Sequence, residues 1–215
     1  MSAELFSGEF PAAFATAFAT LFVMVDPIGL APMFAALTAG ATLRQRAVIG
    51  GRGVAVAFIL LAFFGLIGDE ALNAVGVSLP AFRIAGGLML FLLAVEMLFE
   101  RRAERREKAT EGEDRADPSV FPLATPLIAG PGALAAMILL TADQAGDATG
   151  QLAVYAGAAA VLAIAFVVFL ATELIERLLG PTGIKVLTRL FGMILGALAV
   201  QFVLDGLAAF PAFAN

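Results

Sequence analysis

The chain has 215 residues, of which 61% are hydrophobic and 14% charged, with a formal net charge of −5 and neither cysteine nor histidine. Soluble domains are nearer ~45–50% apolar and about 25% charged, and a soluble monomer of this make-up would expose large apolar patches and aggregate. Soluble enzymes, nucleic-acid binders and disulfide scaffolds are excluded, as are thiol catalysis, zinc–cysteine sites and histidine acid–base chemistry.

The segment Met1 to Phe10 holds Glu4 and Glu9 but no basic residue, so it lacks the n-region of a cleavable signal peptide, and the first apolar stretch is expected to stay. Six apolar runs follow in order: Pro11 to Thr38, Ala47 to Gly68, Pro80 to Phe99, Val120 to Ala142, Leu152 to Thr172 and Val186 to Ala209. The run from Ala156 to Ala171 has none of the strict alternation of a barrel strand, and helices satisfy their own backbone in lipid. The expected fold class is an all-α membrane protein with six transmembrane helices.

Span 1 has to be broken. From Phe10 to Leu43 the only ionisable group is Asp26, and 34 residues make ~51 Å of helix against a bilayer core of ~30 Å. Asp26-Pro27-Ile28-Gly29 supplies the break, since Pro27 lacks an N–H and Asp26 can cap the helix that Pro27 begins. A discontinuous helix leaves N–H groups at a positive dipole end, a ready anion site, here from about Gly29 onward. An ionised acid within a membrane is costly, so Asp26 is expected to face a wet cavity, to be partnered, or to be protonated in part of a cycle. That leaves proton or sodium coupling open.

Basic residues fix the expected orientation. Arg44, Arg46 and Arg52 follow span 1; Arg101, Arg102, Arg105, Arg106, Lys108 and Arg115 follow span 3; Arg177, Lys185 and Arg189 lie between spans 5 and 6. Twelve of the thirteen Lys and Arg therefore fall on one side, with only Arg83 on the other, which places both termini away from the cytoplasm. Near-balanced charge in Glu100 to Asp117 reads as a solvated cytoplasmic linker, dividing the chain into a first repeat (1–99), the linker (100–118) and a second repeat (119–215).

Span 4 echoes span 1: Thr125-Pro126-Leu127-Ile128-Ala129-Gly130-Pro131-Gly132 is a second Pro- and Gly-interrupted motif, with Thr125 at the place of Asp26 and donors expected from about Gly132. Span 6 echoes span 3, with Arg83-Ile84-Ala85-Gly86 against Arg189-Leu190-Phe191-Gly192 and Ala94-Val95-Glu96 against Ala199-Val200-Gln201. A three-span unit has an odd number of crossings, so two units run in opposite directions, giving two inverted three-helix repeats with helices 1 and 4 discontinuous. Opposed span directions also place Arg83 near Asp205 and Arg189 near Glu96, either as ion pairs or as long side chains that each reach water on their own. Gly192 and Gly196 form a GxxxG expected to pack within the chain.

The candidate substrate site comprises Asp26, Pro27, Ile28, Gly29, Pro32, Thr125, Pro126, Gly130, Pro131 and Gly132, with Asp26 or freed backbone carbonyls for an ammonium group and the half-helix N-termini for a carboxylate. Glycines bring backbone near the ligand, while Ile28, Leu127 and Ile128 limit its size. No metal or cofactor is expected, and the chain has no G-x-x-x-x-G-K-[ST] loop for ATP. An enzyme would need a nucleophile or paired acids, and Asp26 has no sequence-evident partner. The readings that remain are a secondary transporter of small zwitterionic amino acids, an exporter or channel for another small metabolite or an ion, and a non-transport membrane scaffold, the last having no need of repeated broken helices. Membrane lipid is the expected surrounding, no nucleic-acid partner is expected, and oligomeric state is not legible.

DPIGLAPMF, VSLPAFRIAGG, FPLATPLIAGPGALAAM and LTRLFGMILGALAVQFVLDGL together resemble the MarC family of bacterial inner-membrane proteins, which includes the SnatA small neutral amino acid transporters, within a wider LysE-like superfamily of exporters. The resemblance implies six spans, an inner-membrane location, and functional elements at Asp26, Pro27 and Gly29 and at Pro126, Gly130, Pro131 and Gly132. The family pattern admits Asn at the place of Asp26, so it does not imply obligatory proton carriage by this residue.

Overall fold

The computed structural model describes residues 9–101 and 117–209; residues 1–8 and most of the expected linker lie outside the described residues. Every element among the described residues is helical or helix-like. Helix α1 (Glu9–Val25) stops at Asp26, and α2 (Pro27–Leu37) restarts at a bend of 42°. Thr38 closes α2 by donating its hydroxyl to Phe34 O at 2.7 Å. A reciprocal Thr42–Gln45 capping box then starts α3 (Leu43–Ala74). This helix overruns the expected span Ala47 to Gly68 at both ends, because nothing interrupts it before Gly76, where φ is +77°. Ser78 caps α4 (Leu79–Leu98), with Pro80 in its first turn.

The first half of span 4 is not the regular half-helix expected. In the segment Ser119–Ile128, Pro122 and Pro126 remove two donors and push the residues before them, Phe121 (φ −129°, ψ 123°) and Thr125 (φ −132°, ψ 125°), into extended conformations. Both X–Pro bonds are cis. Wide turns replace the helical ladder, closed by Leu123 N–H to Pro118 O at 3.3 Å and Ala129 N–H to Ala124 O at 2.8 Å. Regular helix resumes at a bend of 61° as α5 (Pro131–Asp143). Asp147 caps α6 (Ala148–Leu170), accepting from the N–H groups of Thr149 and Gly150. The last element, α7 (Thr172–Ala208), begins well before the expected Val186 and is kinked at Gly180 (φ 62°, ψ 174°), just ahead of Pro181.

Helices α3, α4, α6 and α7 are each long and apolar enough to cross a bilayer, and each bent pair is so when taken together. Lipid is as apolar as leucine, so close packing of small residues holds such helices together. The most extensive contact, α4 against α7, shows this. Gly206 lies against Pro80 and Ile84, Gly87 against Ala199 and Val203, and Gly192 against Ala94 and Met97. The seam thus advances seven residues along α4 for every seven back along α7. Gly192 packs within the chain, as expected of the GxxxG. Phe34 and Phe169, both fully buried, stack at 4.5 Å and fix α2 to α6. On α1 a ladder of Phe10, Phe14, Phe18 and Phe22 ends edge-on against Phe191 of α7.

Ion pairs mark the two ends of the bundle. At the basic end Arg46 meets Glu173 at 2.9 Å, Arg52 meets Asp117 at 3.6 Å, and Glu100 takes Lys185 at 2.8 Å and Arg189 at 2.6 Å. At the opposite end Arg83 pairs with Asp143. The expected pairs are therefore corrected. Arg83 selects Asp143, brought to the same end by α5, while Asp205 accepts from Gln201 one turn away on its own helix at 2.7 Å. Arg189 pairs with Glu100, one turn closer to the basic end than Glu96, where its long side chain extends toward water. Asp143→Ala is accordingly expected to lower the unfolding temperature in detergent more than Asp205→Ala does, since it leaves a mostly buried guanidinium without its carboxylate.

Candidate functional site: the cavity beneath the first helix break

Asp26 is fully buried, with φ 53° and ψ 65° in the left-handed region. Outside glycine that region suits Asp and Asn best, because a short polar side chain can bond locally. It does so here: Oδ1 accepts from Gly29 N–H at 3.0 Å, capping α2 behind Pro27. The other oxygen, Oδ2, accepts from the Thr188 hydroxyl of α7 at 3.4 Å. That is long beside the ~2.7–2.8 Å usual for O–H···O.

A cavity of about 530 Å³ opens over this carboxylate, between α2, the end of α4 and the beginning of α7. Asp26, Gly29, Pro32 and Met33 line it from the first break, Met97 and Glu100 from α4, and Glu176, Pro181, Ile184, Lys185 and Thr188 from α7. Its walls are mainly apolar, as in most small-molecule sites, and the described residues bring four charged groups to it, Asp26, Glu100, Glu176 and Lys185. Glu100 adopts φ +63° just past the end of α4; it and Asp26 are the only non-glycine residues with positive φ among the described residues, and both line this cavity. Left-handed backbone at such residues costs about 1–3 kcal/mol each and gathers at ligand clamps and switch regions. The Lys185 ammonium donating to Glu100, reinforced by the charge of Lys185 and of Arg189, holds the Glu100 carboxyl below the usual carboxylate range, with desolvation opposing.

The family profile described as "MarC family integral membrane protein" matches residues 12–210, spanning both helix breaks and this cavity. The chain belongs to the MarC family. It is 40% identical over 197 residues to a "UPF0056 membrane protein" of Archaeoglobus fulgidus, covering 91% of this chain and 92% of that one. It is 35% identical to the "UPF0056 membrane protein YvbG" of Bacillus subtilis (88% and 92% covered) and 33% identical to the "UPF0056 inner membrane protein YhgN" of Escherichia coli (87% and 92%). No solved structure matches. As a MarC family member the chain is a multi-pass integral membrane protein.

In this MarC family chain the ten residues singled out from the sequence separate into two groups. Asp26, Gly29 and Pro32 line the cavity, with Pro27 buried and Ile28 half-buried beside them. Thr125, Pro126 and Pro131 are exposed, Gly130 caps α5 through its backbone, and none of these lines the Asp26 cavity. The hydroxyl that reaches Asp26 belongs to Thr188, not Thr125. Gly132 joins the two groups: a Cβ there would lie 2.7 Å from Met24 Cε and 3.2 Å from Leu93 Cδ2, so its lack of a side chain lets the two breaks approach. The Gly29 N–H expected for a carboxylate is already engaged by Asp26.

Sequence reasoning missed Lys185, Thr188, Glu176 and Met97. A signal existed in Gly180-Pro181, a third helix break, after which α7 turns its residues 184, 185 and 188 toward the first break.

Proposed function

We propose that this protein is a secondary transporter of small neutral amino acids of the glycine or alanine type, acting in a bacterial inner membrane. The observation that carries the reading is a fully buried acid at a helix break, forming the floor of a cavity that reaches the basic end of the bundle. Broken helices near mid-membrane are where secondary transporters place substrate and coupling ions. Asp26 takes the substrate ammonium, and exchange of its Thr188 hydrogen bond for that ammonium is the binding step. Coupling to protons or sodium then acts through the same carboxylate. The reading needs no enzyme chemistry, metal or cofactor.

The architecture that goes with it has six spans in two inverted repeats, 1–99 and 119–215, joined by the 100–118 linker. The helix contacts support this arrangement. Exchanging α1 and α2 with the Ser119–Ile128 segment and α5, α3 with α6, and α4 with α7 maps α1·α6 onto the segment·α3 contact, α2·α7 onto α4·α5, and α2·α6 onto α3·α5. It leaves α3·α6 and α4·α7 unchanged, as a two-fold axis in the membrane plane requires. Both termini then lie on the non-cytoplasmic side. The chain has no native cysteine, so single cysteines at residues 105 and 146 probe this cleanly. A membrane-impermeant maleimide on intact cells is expected to label 146 and spare 105; the reverse pattern overturns the orientation.

Transport is tested with purified protein in liposomes, given labelled glycine or alanine with and without imposed pH and sodium gradients. Gradient-dependent uptake supports the reading, and folded protein that neither binds nor moves either substrate removes it. The volume of about 530 Å³ favours one second reading, an exporter of a larger metabolite that also carries an ammonium group, because sites of that size accommodate ligands well beyond glycine.

A further inference from the structure

We propose that Lys185 is the carboxylate-binding residue of the Asp26 cavity, held by Glu100 in the unliganded protein and released to the substrate carboxylate when substrate enters. The inference rests on the transport reading above and assigns the second charge that a zwitterion requires.

Among the described residues, Lys185 is the only basic one that lines the cavity. Its ammonium lies 2.8 Å from Glu100 Oε2, and its side chain is 56% exposed, so it is free to swing. On α7 it stands three residues before Thr188, which touches Asp26, and so about 4.5 Å nearer the mouth along the helix axis. A ligand with its ammonium on Asp26 thus presents its other end toward Lys185. The two helix N-termini expected to bind the carboxylate do not serve this cavity: Asp26 occupies the Gly29 N–H, and Gly130 to Gly132 lie outside the lining.

Glu100 makes the release inexpensive. Its Oε1 is bound by Arg189 at 2.6 Å independently of Lys185, so the carboxylate keeps a cationic partner when Lys185 leaves. Glu100 also stands at the position just past a helix end that glycine usually fills, in the left-handed conformation that glycine adopts without penalty. A carboxylate held there despite the backbone cost is the partner from which a mobile lysine can be displaced.

The experiment pairs each amino acid with its decarboxylated counterpart, glycine with methylamine and alanine with ethylamine, and measures binding to the full-length protein in detergent by calorimetry. Wild-type protein is expected to bind the amino acids at least 10-fold more tightly than the amines. Lys185→Gln should weaken amino acid binding by about 10-fold or more and leave the amines unchanged, while Lys185→Arg keeps the discrimination. Glu100→Gln should tighten amino acid binding, because Lys185 no longer has to leave a charged partner; a merely structural ion pair would give no gain. If Lys185→Gln still prefers amino acids over amines, or loses both classes equally, the assignment is wrong although the transport reading stands. If folded wild-type protein binds neither class, the transport reading fails and this subsite with it.

Discussion

Asp26→Asn is expected to leave the fold intact while weakening an ammonium-bearing ligand by about 10- to 100-fold, the equivalent of losing a hydrogen bond to a charged group. Asparagine tolerates the left-handed backbone at φ 53° and can still accept from Gly29 N–H, so α2 keeps its cap. Only the charge goes. Asp26→Ala should differ in kind, since it forfeits the cap (about 0.5–2 kcal/mol) and puts a Cβ without a local hydrogen bond into left-handed backbone (roughly 1–2 kcal/mol). A combined loss of about 2–3 kcal/mol should lower its unfolding temperature visibly, in addition to abolishing binding. Calorimetry for binding and thermal unfolding in the same detergent separate the two. An Asn variant that binds glycine and alanine as wild type does would deny Asp26 its place in recognition.

Gly87→Val is expected to have the largest effect on stability. A Cβ at residue 87 would lie 2.7 Å from Ala199 O and 3.0 Å from Val203 N, backbone atoms that cannot rotate away, as well as 2.7 Å from Val203 Cγ2. Overpacking usually costs about 1–3 kcal/mol, and rigid neighbours put this site at the upper end, near 3 kcal/mol. Gly196→Ala is the internal control, because its Cβ would meet only Ala94 Cβ at 3.7 Å, ordinary contact. With the better helix propensity of alanine, Gly196→Ala should be neutral or slightly stabilising. Equal unfolding temperatures for the two variants would mean that α4 and α7 are not held by this seam.

Much of the architecture was legible from length and punctuation. An apolar run too long for one crossing demanded a break, and Asp26-Pro27 supplied both the stop and the restart, as found. In span 4 the same reasoning succeeded at Gly130-Pro131 and failed upstream, where Pro122 and Pro126, four residues apart, dissolve the half-helix into wide turns. Charge arithmetic did not give the partners, because pairing depends on which helix end reaches the same depth. Asp143 enters from α5, and Glu100 lies just beyond the α4 helix. The site was half legible for a similar reason. Asp26, Gly29 and Pro32 announce themselves by local chemistry, whereas Lys185 and Thr188 sit in an ordinary helical pattern and become part of the site only when the Gly180 kink aims α7 at the break.

The α4–α7 seam also limits how this chain can change length. Because Pro80, Gly87 and Ala94 meet Gly206, Ala199 and Gly192 in equal steps, inserting or deleting one residue inside either helix would rotate everything beyond it by about 100°. Glycines would then face lipid, and branched side chains would face the partner backbone. Indels are therefore tolerable at the helix ends, while inside the pair only whole blocks of two turns, matched in both helices, preserve the fit. The two helices are bound to a common measure.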